Sequence, residues 1–134
     1  MRIQGRLHKD GKFWLAEVPL LDAMTQGRTR KEALAMVEDL VETLADRPGF
    51  SVEARLNEGD RLEIASPDTR TMVGLMLQRQ RQASGLTPAQ AAQRLGAKSR
   101  GAYARYERGQ TAPTLEKLSQ LLNAVSPGRD FVLQ

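Results

Sequence analysis

From Arg2 to His8 the chain alternates, with Ile3, Gly5 and Leu7 on one side and Arg2, Gln4, Arg6 and His8 on the other. That is the period of a half-buried strand. The stretch Lys9-Asp10-Gly11-Lys12 offers an Asp-Gly pair that tolerates positive φ, and Phe13 to Val18 resumes a β-rich run, so a hairpin is predicted that Pro19 ends. A short extended piece around Met24-Thr25-Gln26 leads into the turn residue Gly27. Thr29 can cap the next segment, with Glu32 three positions on closing a capping box. Ala33, Val37, Leu40, Val41 and Leu44 then recur at helical spacing and turn one apolar stripe toward a sheet, leaving Glu38, Asp39, Glu42 and Asp46 for water. Pro48-Gly49 stops this helix. Phe50, Val52, Ala54 and Leu56 alternate with Ser51, Glu53 and Arg55 as a further strand, and Leu62 and Ile64 hint at another short one. Residues 1–65 therefore read as a β-β-β-α-β domain.

The period changes after Ser66-Pro67-Asp68, which reads as a linker because proline disfavours helix in the residue before it and Asp68 or Thr69 can cap a helix beginning there. A first helix is expected from about Arg70 to Ala83, with Met72, Leu75 and Met76 on one face and Gln78, Arg79 and Arg81 mainly elsewhere, ending at Gly85. Thr87 caps a second helix, with Pro88 at its first position, Gln90 three residues after the cap, and Ala91, Ala92 and Leu95 on its buried side. Gly96 breaks the chain, and a third helix runs from near Ser99 to Gly109. Two short helices joined through a glycine turn form the helix-turn-helix pattern, in which the second helix enters a major groove while the first crosses the backbone. Pro113-Thr114 starts a fourth helix whose stripe of Leu115, Leu118, Leu122 and Val125 can close a small bundle. The fold class is thus α+β, a sheet-plus-helix domain (1–65) followed by an all-α domain (69–134).

Charge sharpens the division. Residues 1–66 carry 10 Lys and Arg against 12 Asp and Glu, a net −2, whereas residues 67–134 carry 10 against 4, a net +6. A basic module joined to a slightly acidic one is what a polyanion-binding module tethered to a non-binding module would show. In the third helix Lys98, Ser99, Arg100, Arg105 and Arg108 face only one acid, Glu107, while Ala102, Tyr103 and Tyr106 group together as its core side. Arginine can donate two hydrogen bonds to guanine O6 and N7 or neutralise a phosphate, and spacing does not decide between them. Together with Thr87 and Gln90 at the start of the second helix, these five residues form the candidate DNA-binding set.

Composition narrows the chemistry. Cysteine is absent and His8 is the only histidine, so no disulfide framework and no nitrogen–sulfur zinc site can form within one chain. An all-carboxylate magnesium site remains open on composition alone. A metal-dependent nuclease, however, needs carboxylates converging from separate strands. Glu17 is the only carboxylate inside the first two predicted strands, and Glu53 and Glu63 need not face it, so no catalytic residue, metal or cofactor is expected. No run of about 18 apolar residues is present to cross a bilayer, and the start lacks an apolar signal core, so a cytoplasmic protein is expected.

The stretch Leu86-Thr87-Pro88-Ala89-Gln90-Ala91-Ala92-Gln93-Arg94-Leu95-Gly96, with Tyr106-Glu107-Arg108-Gly109 and Pro113-Thr114-Leu115, resembles the Xre/Cro type of helix-turn-helix. It departs in having Ala91 where a leucine is usual and in one extra residue between Gly96 and Tyr106. The first half resembles the HicB antitoxins through its β-hairpin, Ala16-Glu17-Val18-Pro19, Thr25-Gln26-Gly27-Arg28-Thr29 and Glu32-Ala33-Leu34. The family's usual Pro-x-x-x-Gly-Cys turn is replaced by Leu20-Leu21-Asp22-Ala23-Met24. The two resemblances cover nearly all the chain.

They imply a degenerate ribonuclease H-like first domain, without enzymatic activity, that occupies the active surface of a small messenger-RNA-cleaving HicA-like toxin. They imply equally that the second domain binds the operator of the shared operon and represses it. A homodimer or higher homo-oligomer is expected, because helix-turn-helix modules usually read two half-sites. The apolar tail Phe131-Val132-Leu133 can add a strand to a partner chain or cover the bundle. Two other readings remain open at this point: a regulator without a toxin, whose first domain dimerises or binds a small ligand, and a metal-dependent nuclease.

Overall fold

The computed structural model describes residues 1–97 and 100–131, and divides into two compact units, Met1–Thr69 and Arg70–Gln134. Among the described residues no helix is long and apolar enough to cross a membrane.

The first unit is a five-stranded antiparallel sheet with one helix. Strands β1 (Arg2–Asp10) and β2 (Phe13–Val18) form the predicted hairpin, in register from Asp10↔Phe13 to Arg6↔Glu17. The connection is the two residues Gly11-Lys12, and only the glycine takes positive φ (+60°). A single left-handed residue at the first turn position matches the type II′ turn, which follows the right-handed twist of the strands it joins. A 3-10 turn at Pro19–Leu21 leads to β3 (Ala23–Gly27), then come helix α1 (Arg30–Ala45), β4 (Glu53–Asn57) and β5 (Arg61–Ala65). The sheet order is β3-β2-β1-β5-β4. The segment around Leu62 and Ile64, which the sequence only hints is a strand, is a full member that pairs with β1 and makes the order β-β-β-α-β-β.

Alternation delivers the core. Ile3, Leu7, Ala16, Val18, Leu62 and Ile64 are buried from the sheet, and Ala33, Val37 and Val41 are buried from α1. Leu40 and Leu44 are only half-buried, so the buried stripe is narrower than expected. Thr29 caps α1 by accepting the Glu32 N–H at 3.0 Å, but the Glu32 carboxylate accepts from the N–H of Arg28 (3.3 Å) rather than that of Thr29. The box therefore closes one residue further out. Glu42, expected in water, is half-buried and accepts the Val52 N–H (3.2 Å), tying the helix to the segment entering β4. Gly27 sits where α1 begins, and a Cβ there would meet the Ala33 nitrogen and lie 2.8 Å from the Glu32 carbonyl carbon.

On the other face, strand register gathers Arg2, Gln4, Arg6, Glu17, Glu53, Arg55, Arg61 and Glu63. Glu63 is buried and ligated: Arg55 reaches it at 3.1 Å, Asn57 at 3.0 Å and Arg2 at 3.4 Å. The Asn57 and Arg55 hydrogen bonds hold its carboxyl below the ordinary value of 4.5.

The second unit consists of helices α2 (Thr69–Ala83), α3 (Pro88–Leu95), α4 (Arg100–Glu107) and α5 (Leu115–Val125). Met72, Leu75, Met76 and Leu77 of α2, Ala91 and Ala92 of α3, and Tyr103 of α4 are buried. Leu95 and Tyr106, expected in the core, are half-buried. In α5 the buried residues are Leu121, Ala124 and Val125, whereas Leu115 is 73% exposed and Leu118 and Leu122 are half-buried. The expected stripe is thus displaced around the helix, and only Val125 belongs to both. A leucine-rich helix carries overlapping apolar stripes, and periodicity alone does not choose between them.

Candidate nucleic-acid interface

The helix pair is built by local signals at each end. Thr87 Oγ1 accepts the Gln90 N–H (3.1 Å) and Gln90 Oε1 accepts the Thr87 N–H (2.8 Å), a complete capping box with Pro88 in the first turn. Two otherwise orphaned N–H groups are satisfied reciprocally, which fixes where α3 starts. Both side chains are thereby engaged within the chain, leaving the Gln90 NH2 and the Thr87 hydroxyl proton as donors. Gly96 ends α3 in the left-handed conformation (φ +76°), and its N–H bonds back to the Ala92 and Gln93 carbonyls. Arg94 is exposed, yet its Nε donates to the Ala124 carbonyl at 2.9 Å and so joins α3 to the end of α5.

Helix α4 is held from beneath by an interaction that local sequence does not signal. Arg81 of α2, expected on an outer face, is buried, and its guanidinium donates to both carboxylate oxygens of Glu107 at 2.8 and 3.0 Å. Its remaining terminal nitrogen donates to the Leu86 carbonyl at 2.8 Å, so one side chain connects α2, α4 and the entry to α3. The two side chains are only 9% and 11% exposed. Their Glu107 hydrogen bonds raise the Arg81 pKa further. The Tyr103 hydroxyl lies near Glu107 without a hydrogen bond of acceptable geometry, and burial, followed by that carboxylate, pushes the phenol up. Gly74 completes the seat: a Cβ there would meet the Glu107 carbonyl oxygen and lie 2.9 Å from that of Tyr106. No signal in the sequence links residues 26 apart such as Arg81 and Glu107.

With Tyr103 fixed inward, the opposite side of α4 is determined by the 3.6-residue period. Arg100, Gly101 and Arg105 are exposed and Ala104 half-exposed. Arg108 follows the last helical residue, but its N–H still bonds to the Ala104 carbonyl (3.0 Å), so it continues the same turn. Spaced i, i+1, i+4, i+5 and i+8, these five residues share one face. Among the described residues no ion pair engages Arg100, Arg105 or Arg108. The face thus carries three unneutralised guanidinium groups around a low strip of Gly101 and Ala104. Of the candidate DNA-binding set, Lys98 and Ser99 lie outside the described residues. So do Val132 and Leu133 of the apolar tail, whereas Phe131 is half-buried beside Arg129, whose guanidinium carbon is 5.8 Å from the ring centre.

Residues 77–125 match the family model described as helix-turn-helix, a span from within α2 to the end of α5. No curated protein matches the chain. The second unit is a helix-turn-helix domain, and it makes the chain a DNA-binding transcriptional regulator. The first unit falls outside that match.

Proposed function

We propose that the chain is the antitoxin and autorepressor of a type II toxin–antitoxin pair. The second unit binds operator DNA as part of a homodimer or higher homo-oligomer, and the first unit neutralises a HicA-like, messenger-RNA-cleaving toxin. The observation that carries the DNA half is the α4 face, where Arg100, Arg105 and Arg108 project together and, among the described residues, no ion pair engages them. Arg100 and Arg105 read base edges or phosphates in the major groove. Lys98, Ser99 and Arg108, with the Thr87 and Gln90 donors at the start of α3, hold the flanking backbone. What supports the toxin-binding half is the HicB resemblance of residues 1–65. The first unit acts by binding and not by catalysis, consistent with Glu63 being occupied by Arg2, Arg55 and Asn57.

Coexpression with the product of the adjacent small reading frame tests the toxin half: a stoichiometric complex and restored growth are expected. A toxic product that neither binds nor is neutralised would reduce the reading to a stand-alone regulator. Magnesium-dependent cleavage of RNA by the pure chain would overturn the non-catalytic assignment. Operator affinity should fall steeply with salt, since each phosphate neutralised adds about 0.9 to the log–log slope. A flat salt response would contradict a phosphate-dominated contact.

A further inference from the structure

We propose that β3 is the strand through which two copies of the chain join. It pairs antiparallel with β3 of a second copy about a two-fold axis at Thr25, so that two five-stranded sheets become one. The inference rests on the homo-oligomer in the reading above and names its interface.

The two edges of the sheet differ. The order β3-β2-β1-β5-β4 leaves β3 and β4 outermost. An exposed edge offers unpaired N–H and C=O groups to any other strand, and proteins usually guard it with charge, proline or a bulge. Strand β4, Glu53-Ala54-Arg55-Leu56-Asn57, is guarded by Glu53 and Arg55. Strand β3, Ala23-Met24-Thr25-Gln26-Gly27, has neither charge nor proline, and its regular register with β2 contains no bulge. Among the described residues its backbone makes no hydrogen bond beyond the β2 ladder. Met24 stands 61% exposed on it. An unguarded edge carrying an exposed methionine is a local liability that a partner strand would remove.

The composition of β3 selects a second copy as that partner. A two-fold axis at Thr25 sets Thr25 against Thr25, Met24 against Gln26 and Ala23 against Gly27. Cross-strand threonine pairs are favourable, and this register places no like charges opposite each other. On the side facing α1 it juxtaposes only small residues, as required where Gly27 already has no room for a Cβ. A two-fold contact of one patch with itself closes as a dimer, the symmetry that two DNA half-sites demand.

This chain contains no cysteine, so Thr25→Cys introduces its only thiol. Under mild oxidation T25C should form a covalent dimer at least about tenfold faster than the exposed control Ser51→Cys, because a directly opposite pair holds its Cβ atoms within about 5.5 Å. In sedimentation, M24K/Q26K, which sets lysine against lysine twice, should weaken the dimer by about tenfold or more, and M24E/Q26K should restore it by making both pairs opposite in sign. These exposed positions leave the core intact. T25C cross-linking no faster than S51C, or the two double variants behaving alike, would overturn the interface. Specific operator binding alongside that failure would leave the DNA reading standing. Fast cross-linking without operator binding would leave the interface and remove the DNA reading.

Discussion

Each unit buries a glutamate side chain against arginine, two arginines for Glu63 and one for Glu107, and the two cases differ in how exposed the arginine partners are. Glu63 lies under the outer face of the sheet, and Arg2 and Arg55, which reach it, remain 55% and 47% exposed. Glu107 and Arg81 are both about nine-tenths buried and bridge two helices. A charge ligated by solvent-facing partners tunes a surface and tolerates loss, since exposed pairs contribute little. A charge paired in the interior cannot lose its partner without leaving an uncompensated ion. The sheet unit is therefore stabilised mainly by alternating apolar residues, whereas the helical unit depends on one polar joint that also positions α4.

That contrast is broken most severely by Glu107→Ala, which strands Arg81. The helical unit should lose roughly 3–5 kcal/mol. Chemical denaturation of the full chain, followed by hydrogen exchange in each unit, should find the loss confined to residues 70–134. A uniform loss, or none, would show that the joint is not what holds the helices.

A matched pair of glycine substitutions sharpens it further. Gly27→Ala in the sheet unit and Gly74→Ala in the helical unit each force a Cβ against rigid backbone. Overpacking of this kind costs about 1–3 kcal/mol. Each should destabilise its own unit, and on half-site DNA, which one protomer binds without its β3 partner, only G74A should weaken binding, because the backbone it displaces is that of α4. Equal effects of both on half-site affinity would contradict the independent seating of α4.

The smallest effect concerns pH. Glu63 has its folded pKa lowered by Asn57 and Arg55, so the folded state binds this proton less readily than the unfolded chain. Its contribution is complete above the ordinary value of 4.5 and declines as pH falls below it. Glu63→Gln should flatten the acid limb of stability in the sheet unit and leave the helical unit unchanged. An unaltered acid limb would mean that other carboxylates govern it.

Features encoded within a few residues are the ones legible in the sequence. The Gly11-Lys12 turn, the Thr29 cap, the Thr87–Gln90 box and the Gly96 stop are each set by chemistry at one to three positions' separation. Together they specify the two-part α+β architecture and the helix-turn-helix. Pairing of β5 with β1 is not legible, because its partners are some 60 residues apart and a five-residue strand carries little periodic signal. Periodicity puts Arg81 on the surface, where arginine usually lies, and only its distant acid makes burial tolerable. The buried face of α5 differs from the expected one because leucines occupy both candidate stripes. The arginine face of α4 is visible as composition. Its sharing of one surface becomes definite only once Tyr103 is seen to point inward.

The most direct test is to titrate the wild-type protein, Arg100→Ala and Arg105→Ala against the upstream DNA of its own operon and against unrelated DNA at one fixed salt concentration. Specific wild-type binding is expected, with a loss of about 1–3 kcal/mol in each variant that removes a base contact and with unfolding midpoints unchanged. Equal wild-type affinity for both DNAs, or specific binding that neither substitution weakens, would contradict α4 as the DNA-reading helix.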